Sequence, residues 1–303
     1  MVDMFKNFKC QALFTSKLEV FARILNTING GIMIKNIFIR LMNRTRKRST
    51  SYSNDIKDIK DIKDDVIAHN KKTTYELERI KRQNLELIWA RVWDDTKVDI
   101  EWLKELPGIS PGRWAVGYNY IYIMTRILCA MKPAYVLDLG LGVSSTLISE
   151  YFRYSCPVAG KHLIIEQDQD WADFYLMNNR LSPFSTISIN QGVSKPIGDE
   201  EYIAYEDFMK TLGDTKFSLI SVDGPKGSRE HSRRDIIDCI PNNLEDSFVI
   251  VFDDANNKGE KETIQDVESR LRSYNIPFCT GWYYGMTDCY IITSEDNKFY
   301  CSL

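Results

Sequence analysis

The chain has 303 residues, 44% hydrophobic and 27% charged, the composition of an ordinary globular protein, with room for one large α/β domain plus an appendage or for two domains. Its formal net charge of −3 divides unevenly, because residues 1–50 hold ten Lys/Arg against Asp3 and Glu19, a net of +8, and the other 253 residues hold −11. Seven irregularly spaced cysteines with no C-x-x-C, and no window nearing about eighteen uncharged apolar residues, argue against a disulfide framework, a zinc site and a membrane span, and for a reduced cytoplasmic protein.

Residues 1–50 alternate apolar clusters with Lys35, Arg40, Arg44, Arg46, Lys47 and Arg48. Such a basic amphipathic leader suits peripheral contact, through residues 1–48, with an anionic inner membrane face, or packing on its own oligomer. No clean apolar segment followed by a small-residue cleavage site is present at the N-terminus. Residues 54–106 open without Gly or Pro and read D-I-K-D-I-K-D-I-K, then Val66, Leu77, Ile80, Leu85, Leu87, Ile88 and Val92. Apolar spacings of three and four predict a long helix and, across residues 54–93, a short or imperfect coiled coil that makes the protein a homo-oligomer.

Pro107, Gly108, Pro111 and Gly112 end that helix and open the third segment, 107–303. Tyr118–Met131 reads as an apolar helix stopping at Lys132-Pro133. Tyr135–Thr146, Y-V-L-D-L-G-L-G-V-S-S-T, then reads as a buried strand, a glycine turn and the start of a helix. Gly140 and Gly142 allow a sharp turn and close approach by a ligand, while Ser144, Ser145 and Thr146 offer hydroxyls and N–H groups at the helix N-terminus. The dinucleotide fingerprint G-x-G-x-x-G is incomplete, since its third position is Ser145. Strand and helix patterns alternate from there to Thr293, which predicts an α/β fold: a doubly wound, mostly parallel sheet preceded by a helical segment.

Ligands of such sheets lie beyond the carboxyl ends of the strands, so polar residues just after strand runs carry the information. They are Asp138 before the glycine turn; Glu166 after H-L-I-I, placed to take ribose hydroxyls; Asp223 in F-S-L-I-S-V-D-G-P-K-G; and Asp253 and Asp254 in F-V-I-V-F-D-D-A-N. Neighbouring tips lie about 5 Å apart. Asp223 can therefore face Asp253 and Asp254 across a gap the size of a hydrated cation, for which Mg²⁺ or Mn²⁺ is the hard-ligand answer. A turn that caps the next helix is the plainer reading of Asp253-Asp254.

V-L-D-L-G-L-G with Glu166 resembles the class I S-adenosylmethionine (SAM)-dependent methyltransferases. Asp223-x-x-Lys226 with Asp253-Asp254 is similar to the metal-binding carboxylates and base of catechol-type, divalent-cation-dependent O-methyltransferases, although their second pair is usually Asp-Asn. S-V-D-G-P-K-G, the arginines 229, 233 and 234, and V-I-V-F-D-D-A-N-N-K-G-E-K-E look like polysaccharide O-methyltransferases related to the glucuronoxylan 4-O-methyltransferases. This chain departs from their H-D-V-x-R-x-V-E segment, with Phe252 for the His and Asn257 or Lys258 near the Arg, so the substrate does not carry over.

The resemblance covers roughly residues 113–295. It implies SAM bound by Asp138, Gly140, Gly142, Ser144, Ser145, Glu166 and Asp223, and a cation held by Asp223, Asp253 and Asp254. The expected function is O-methyl transfer to a sugar hydroxyl of a surface or capsular polysaccharide or its precursor, with no nucleic-acid partner. Lys226 is the candidate base and His231 the runner-up. Arg229, Arg233 and Arg234 are candidates to bind a uronate or phosphate, and Trp282, Tyr283 and Tyr284 to stack on a sugar. Two alternatives stand beside this reading: an NAD-dependent sugar-nucleotide enzyme using the same glycine turn, and a non-catalytic membrane-associated assembly protein.

Overall fold

The computed structural model describes Arg40, 52–104, Leu106, 115–155, 160–228 and 230–303, so the calls on the leader and on Arg229 lie outside the described residues. The chain divides into two units, Met1–Thr73 and Thr74–Leu303. Of the first, the structure describes mainly the opening half of helix α1, Tyr52–Lys97. The sheet unit begins at Thr74, within the segment read from sequence as a separate helix. The reason is burial: Trp93, Trp102 and Leu103 enter the same core as the apolar face of α2, Tyr118–Met131, and Trp102 meets Tyr151 edge-on at 6.0 Å.

Seven strands form the sheet: β1 Tyr135–Leu139, β2 Lys161–Glu166, β3 Ser185–Ile189, β6 Phe217–Val222, β7 Leu244–Phe252, β8 Cys279–Tyr283 and β9 Cys289–Thr293. Their spatial order is β3-β2-β1-β6-β7-β9-β8. All neighbouring pairs from β3 to β7 are parallel, and β9 runs antiparallel to both β7 and β8. A mostly parallel sheet with one reversed strand beside the edge is a doubly wound, Rossmann-like fold. The central strands are buried on both faces, as sheets covered by helices require: β1, β6 and β7 carry Val136, Leu137, Leu139, Leu219, Ile220, Val249 and Ile250 at 0% exposure.

Helices α3 (Val143–Ser155), α4 (Gln169–Asn178), α5 (Phe208–Leu212) and α6 (Lys258–Ser273) make the connections. Two elements escape the sequence pattern. Hairpin strands β4, Gly192–Ile197, and β5, Glu200–Tyr205, form a separate antiparallel ribbon turning at Gly198, where φ is +60°. Its polar alternation and Pro196 read as loop. Strand β8 carries little strand signal either, because Gly281 interrupts so short a run.

The chain runs outward from β1 to β2 and β3, then crosses back to β6 on the other side of β1. The direction of winding reverses between β1 and β6, the place at the carboxyl ends of the strands where sheets of this kind bind ligands.

Candidate active site

The turn after β1 is closed from both sides. Gly140 has φ +101°, in the left-handed region, and its N–H donates to the Ile165 carbonyl at 2.9 Å. A Cβ on it would lie 3.1–3.2 Å from the Asp223 and Gly224 backbone, and one on Gly224 would overlap the Tyr205 hydroxyl and lie 3.0 Å from Gly140 Cα. The loops after β1 and β6 therefore touch backbone to backbone. A Cβ on Gly142 would meet nothing within 4 Å, so the turn is open on that side.

Glu166 fastens this turn. Its Oε2 accepts the Leu141 N–H at 2.9 Å, and its Oε1 accepts those of Gln167 at 2.7 Å and Asp168 at 2.9 Å. Each oxygen carries two lone-pair directions, so Oε2 keeps one for a further donor. Trp171 adds a lateral clasp, its indole N–H donating to the Leu141 carbonyl at 2.7 Å while its ring stays partly exposed. Asp168 caps α4 through the Trp171 N–H at 3.0 Å.

Asp138, Ser144 and Ser145, expected to face the cofactor, turn inward instead. Asp138 is wholly buried and accepts Ser145 Oγ at 2.5 Å, Ser221 Oγ at 2.6 Å and Ser144 Oγ at 3.4 Å, with His162 Nε2 at 3.6 Å. The Tyr120 hydroxyl extends the chain to Ser221 at 2.6 Å. This network ties β1, β6, α2 and α3 together beneath the turn. A buried serine in the middle of apolar β6 was the available signal, and the sequence reading did not use it.

At the β6 and β7 tips, Asp223, Asp253 and Asp254 offer carboxylate oxygens that all lie within 4.8 Å of one another. Asp253 is buried and receives the Thr287 hydroxyl at 3.1 Å, while Asp223 and Asp254 keep 27% and 32% of their side-chain surface exposed. Asp254 is held at φ +56°, a conformation non-glycine residues adopt at a cost.

The surprise of the centre is Arg233, read from sequence as a substrate-binding residue. It is buried, with Nη2 2.9 Å from Asp223 and 3.2 Å from Asp254, Nη1 donating to the Asp253 carbonyl at 2.7 Å, and Nε 3.6 Å from Glu260. One guanidinium therefore faces three acidic side chains and the Asp253 carbonyl. Burial lifts the Asp223 carboxyl well above the ordinary range, and Asp253 and Asp254 add to the rise against the pull of Arg233. Asp253 is pushed up to about 6, first by burial and then by Asp254.

Three hard oxygen donors with one guanidinium among them fit a divalent cation of the Mg²⁺ or Mn²⁺ kind, which would supply the missing positive charge. Asp223, Asp253 and Asp254 would hold it.

A scan against protein-family models finds no match for the chain, and a search of curated proteins finds none. Solved structures do resemble it. An O-methyltransferase from Bacillus cereus in complex with SAH shares 10% identity at a TM-score of 0.47, covering 72% of this chain and 100% of that one. The O-methyltransferase TomG from Streptomyces achromogenes, involved in tomaymycin synthesis and in complex with SAM, shares 12% identity at 0.46, covering 72% and 98%. A precorrin-6y C5,15-methyltransferase from Geobacter metallireducens shares 15% identity at 0.41, covering 61% and 92%. Likeness at this level carries no argument about chemistry, which rests on the residues themselves.

Of the remaining candidates, Lys226 is exposed on the Asp223 loop, and among the described residues its ammonium has no ion-pair partner; its N–H donates to Gln167 Oε1 at 3.2 Å. His231 is engaged elsewhere, with Nε2 3.0 Å from Glu200 and Nδ1 3.1 Å from Glu262, so it braces the hairpin against α6. Arg234 pairs with Asp266 at 2.5 Å and lies over the Tyr202 ring, which removes it from the strand tips. Tyr283 is buried and donates its hydroxyl to the Tyr300 carbonyl, whereas Trp282 and Tyr284 are exposed and stacked at 6.3 Å with an 11° interplanar angle.

Proposed function

We propose that this chain is a SAM-dependent O-methyltransferase whose acceptor is a sugar hydroxyl of a surface or capsular polysaccharide or its precursor, with a divalent cation assisting. The observation that carries this reading is the glycine turn fastened by Glu166 at the point where the sheet reverses, one strand tip away from three carboxylates, two of which share one guanidinium. The reversed β9 favours this reading over a nicotinamide enzyme, as do the missing third glycine and the absence of a Tyr-x-x-x-Lys hydride-site pattern.

Glu166 Oε2 would accept a ribose hydroxyl while keeping the Leu141 N–H. Bound at Asp223, Asp253 and Asp254, a cation supplies Lewis-acid polarisation of an acceptor hydroxyl. Transfer forms a C–O bond as the C–S bond breaks, and the hydroxyl proton leaves to Lys226 in its neutral amine form or to water. The protein's share is position and fixed charge. Trp282 and Tyr284 support a sugar face as acceptor, because exposed stacked rings suit the apolar face of a pyranose. Exposed Leu77, Ile80, Leu87 and Ile88 on α1 support assembly into a homo-oligomer. Among the described residues no helix is long and apolar enough to cross a membrane; we assign the basic leader to peripheral contact at the inner membrane face.

Calorimetry of the full chain with SAM and with NAD, each with and without Mg²⁺, tests the reading. SAM binding alone is the expected result. Binding of NAD would move the chain to the sugar-nucleotide enzymes, and binding of neither would make it an assembly module. Labelled methyl transfer to host surface glycans, followed by linkage analysis, then identifies the acceptor. Full transfer by Asp253→Ala would remove the cation from the mechanism.

A further inference from the structure

The segment Tyr283–Asp288 joins β8 to the reversed β9 and so lies at the carboxyl end of the sheet, beside the acidic centre. Five of its six carbonyls and the Met286 N–H are satisfied by side chains of two helices. Arg82 Nη1 donates to the Gly285 carbonyl at 3.2 Å, the Met286 carbonyl at 3.3 Å and Asp288 Oδ1 at 2.9 Å. Glu86 accepts the Met286 N–H at 3.3 Å and, with its other oxygen, the Tyr118 N–H at 2.9 Å where α2 begins. Trp89 Nε1 donates to the Tyr284 carbonyl at 2.7 Å, and Asn119 Nδ2 bridges the carbonyls of Tyr283 at 3.1 Å and Thr287 at 2.9 Å. Arg82, Glu86 and Trp89 are spaced 82, 86, 89 along α1, which puts them on one helical face.

The other side of the same loop holds the acids. Thr287 Oγ1 donates to Asp253 Oδ1 at 3.1 Å, the Asp288 carbonyl accepts the Ala255 N–H at 2.7 Å, and the Asp288 N–H donates to Asn256 Oδ1 at 3.0 Å. Asp254, in its left-handed conformation, lies between these attachments. Held polar loops of this kind set ligand geometry, since carboxylates that share an ion must be kept close against their mutual repulsion.

Resting on the cation reading above, we infer that Arg82, Glu86 and Trp89 are positioning residues of the acidic centre: through the β8–β9 loop they fix Thr287, and through Thr287 the spacing of Asp253 and Asp254. On this account the second half of α1, which the sequence presents as a spacer, is part of the site. It acts on the carboxylate end and leaves the Glu166 end alone, because among the described residues the hydrogen bonds of Arg82, Glu86 and Trp89 all go to the loop and to the start of α2.

The test uses the full chain with Mn²⁺ as the metal probe and SAM as internal control, both by calorimetry, in wild type, Arg82→Ala, Arg82→Lys and Thr287→Val. The expected result is a loss of about tenfold in Mn²⁺ affinity for Arg82→Ala and Thr287→Val, partial recovery for Arg82→Lys, and unchanged SAM affinity throughout. Unchanged Mn²⁺ affinity in both Arg82→Ala and Thr287→Val would overturn the inference and leave the cation reading intact. Equal loss of both ligands in all three variants would assign these residues to general stability and overturn it too. A wild type that takes up SAM and no Mn²⁺ overturns the cation reading itself, and the inference falls with it.

Discussion

The two ends of the candidate site solve the same problem in opposite ways. Both bring carboxylates to neighbouring strand tips, where they repel and lose water. At the β1 and β2 tips, Asp138 and Glu166 are met by neutral donors: three serine hydroxyls for one and three backbone N–H groups for the other. At the β6 and β7 tips, among the described residues, Asp223, Asp253 and Asp254 have one guanidinium near them, with the Thr287 hydroxyl and the Cys289 thiol on Asp253, and two of the carboxyls are pushed upward in pKa. Neutral donors yield a rigid seat that requires no ion. Excess negative charge leaves a centre that, on the proposed reading, an added cation would complete.

The largest effect is expected where the two ends touch. Gly224→Ala would drive a methyl into the Tyr205 hydroxyl and against Gly140 Cα, and neither neighbour is a flexible side-chain end free to withdraw. Overpacking of this kind costs about 3 kcal/mol and, in a unit of this size, roughly 10 °C in Tm. Because the displaced backbone is the cofactor turn, SAM affinity should fall with stability. A thermal scan and a SAM titration check both, and a variant with wild-type values for each would refute the backbone contact between the loops.

What could be read from the sequence follows the same division. The glycine turn, Glu166 and the two acidic strand ends are local, each lying at the end of an apolar run, and a mostly parallel sheet follows from alternation. The inward turn of Asp138 depends on Ser221, 83 residues away, and the counter-ion role of Arg233 depends on Asp254 and Glu260, so neither has a local signature. Three arginines after an acidic loop look alike in sequence. Folding buries one among acids and pairs another on α6. Arg82 is the extreme case, 206 residues from Asp288, in a helix whose charge pattern reads as solvent-facing.

Asp235 sharpens the comparison, since it is a buried carboxylate with neither a set of neutral donors nor a cation in contact. Its Oδ2 accepts the Tyr205 N–H at 3.3 Å and its Oδ1 has no partner in the protein. Burial pushes it up to about 6, with the Tyr205 N–H opposing. A native pKa above the unfolded value of about 3.9 means that the fold binds more protons between the two, so stability falls as pH rises from about 4 to about 6 and is level above. Asp235→Asn keeps an oxygen for the Tyr205 N–H and carries no charge. It should be more stable than wild type at pH 8, by an amount on the order of 1–3 kcal/mol, with the difference closing toward pH 4. Urea midpoints across that range decide it; a gap that does not change with pH would show that the charge of Asp235 is not the cause.

The smallest effect is expected from Arg234→Ala, and its smallness is informative. Arg234 and Arg233 are adjacent, yet Arg234 ends on half-exposed Asp266 of α6 while Arg233 is enclosed by the acids of the centre. A partly exposed pair contributes about 1 kcal/mol or less, so the variant should lose little stability. Its guanidinium points away from the strand tips, so KM for the acceptor and the affinities for SAM and Mn²⁺ should stay at wild-type values. Arg233→Ala in parallel should leave Asp223, Asp254 and Glu260 without their shared counter-charge and disturb Mn²⁺ binding first. A rise in acceptor KM for Arg234→Ala alone would place the acceptor on the α6 side of the β6 tip, and would return to this arginine the substrate role that its sequence position first suggested.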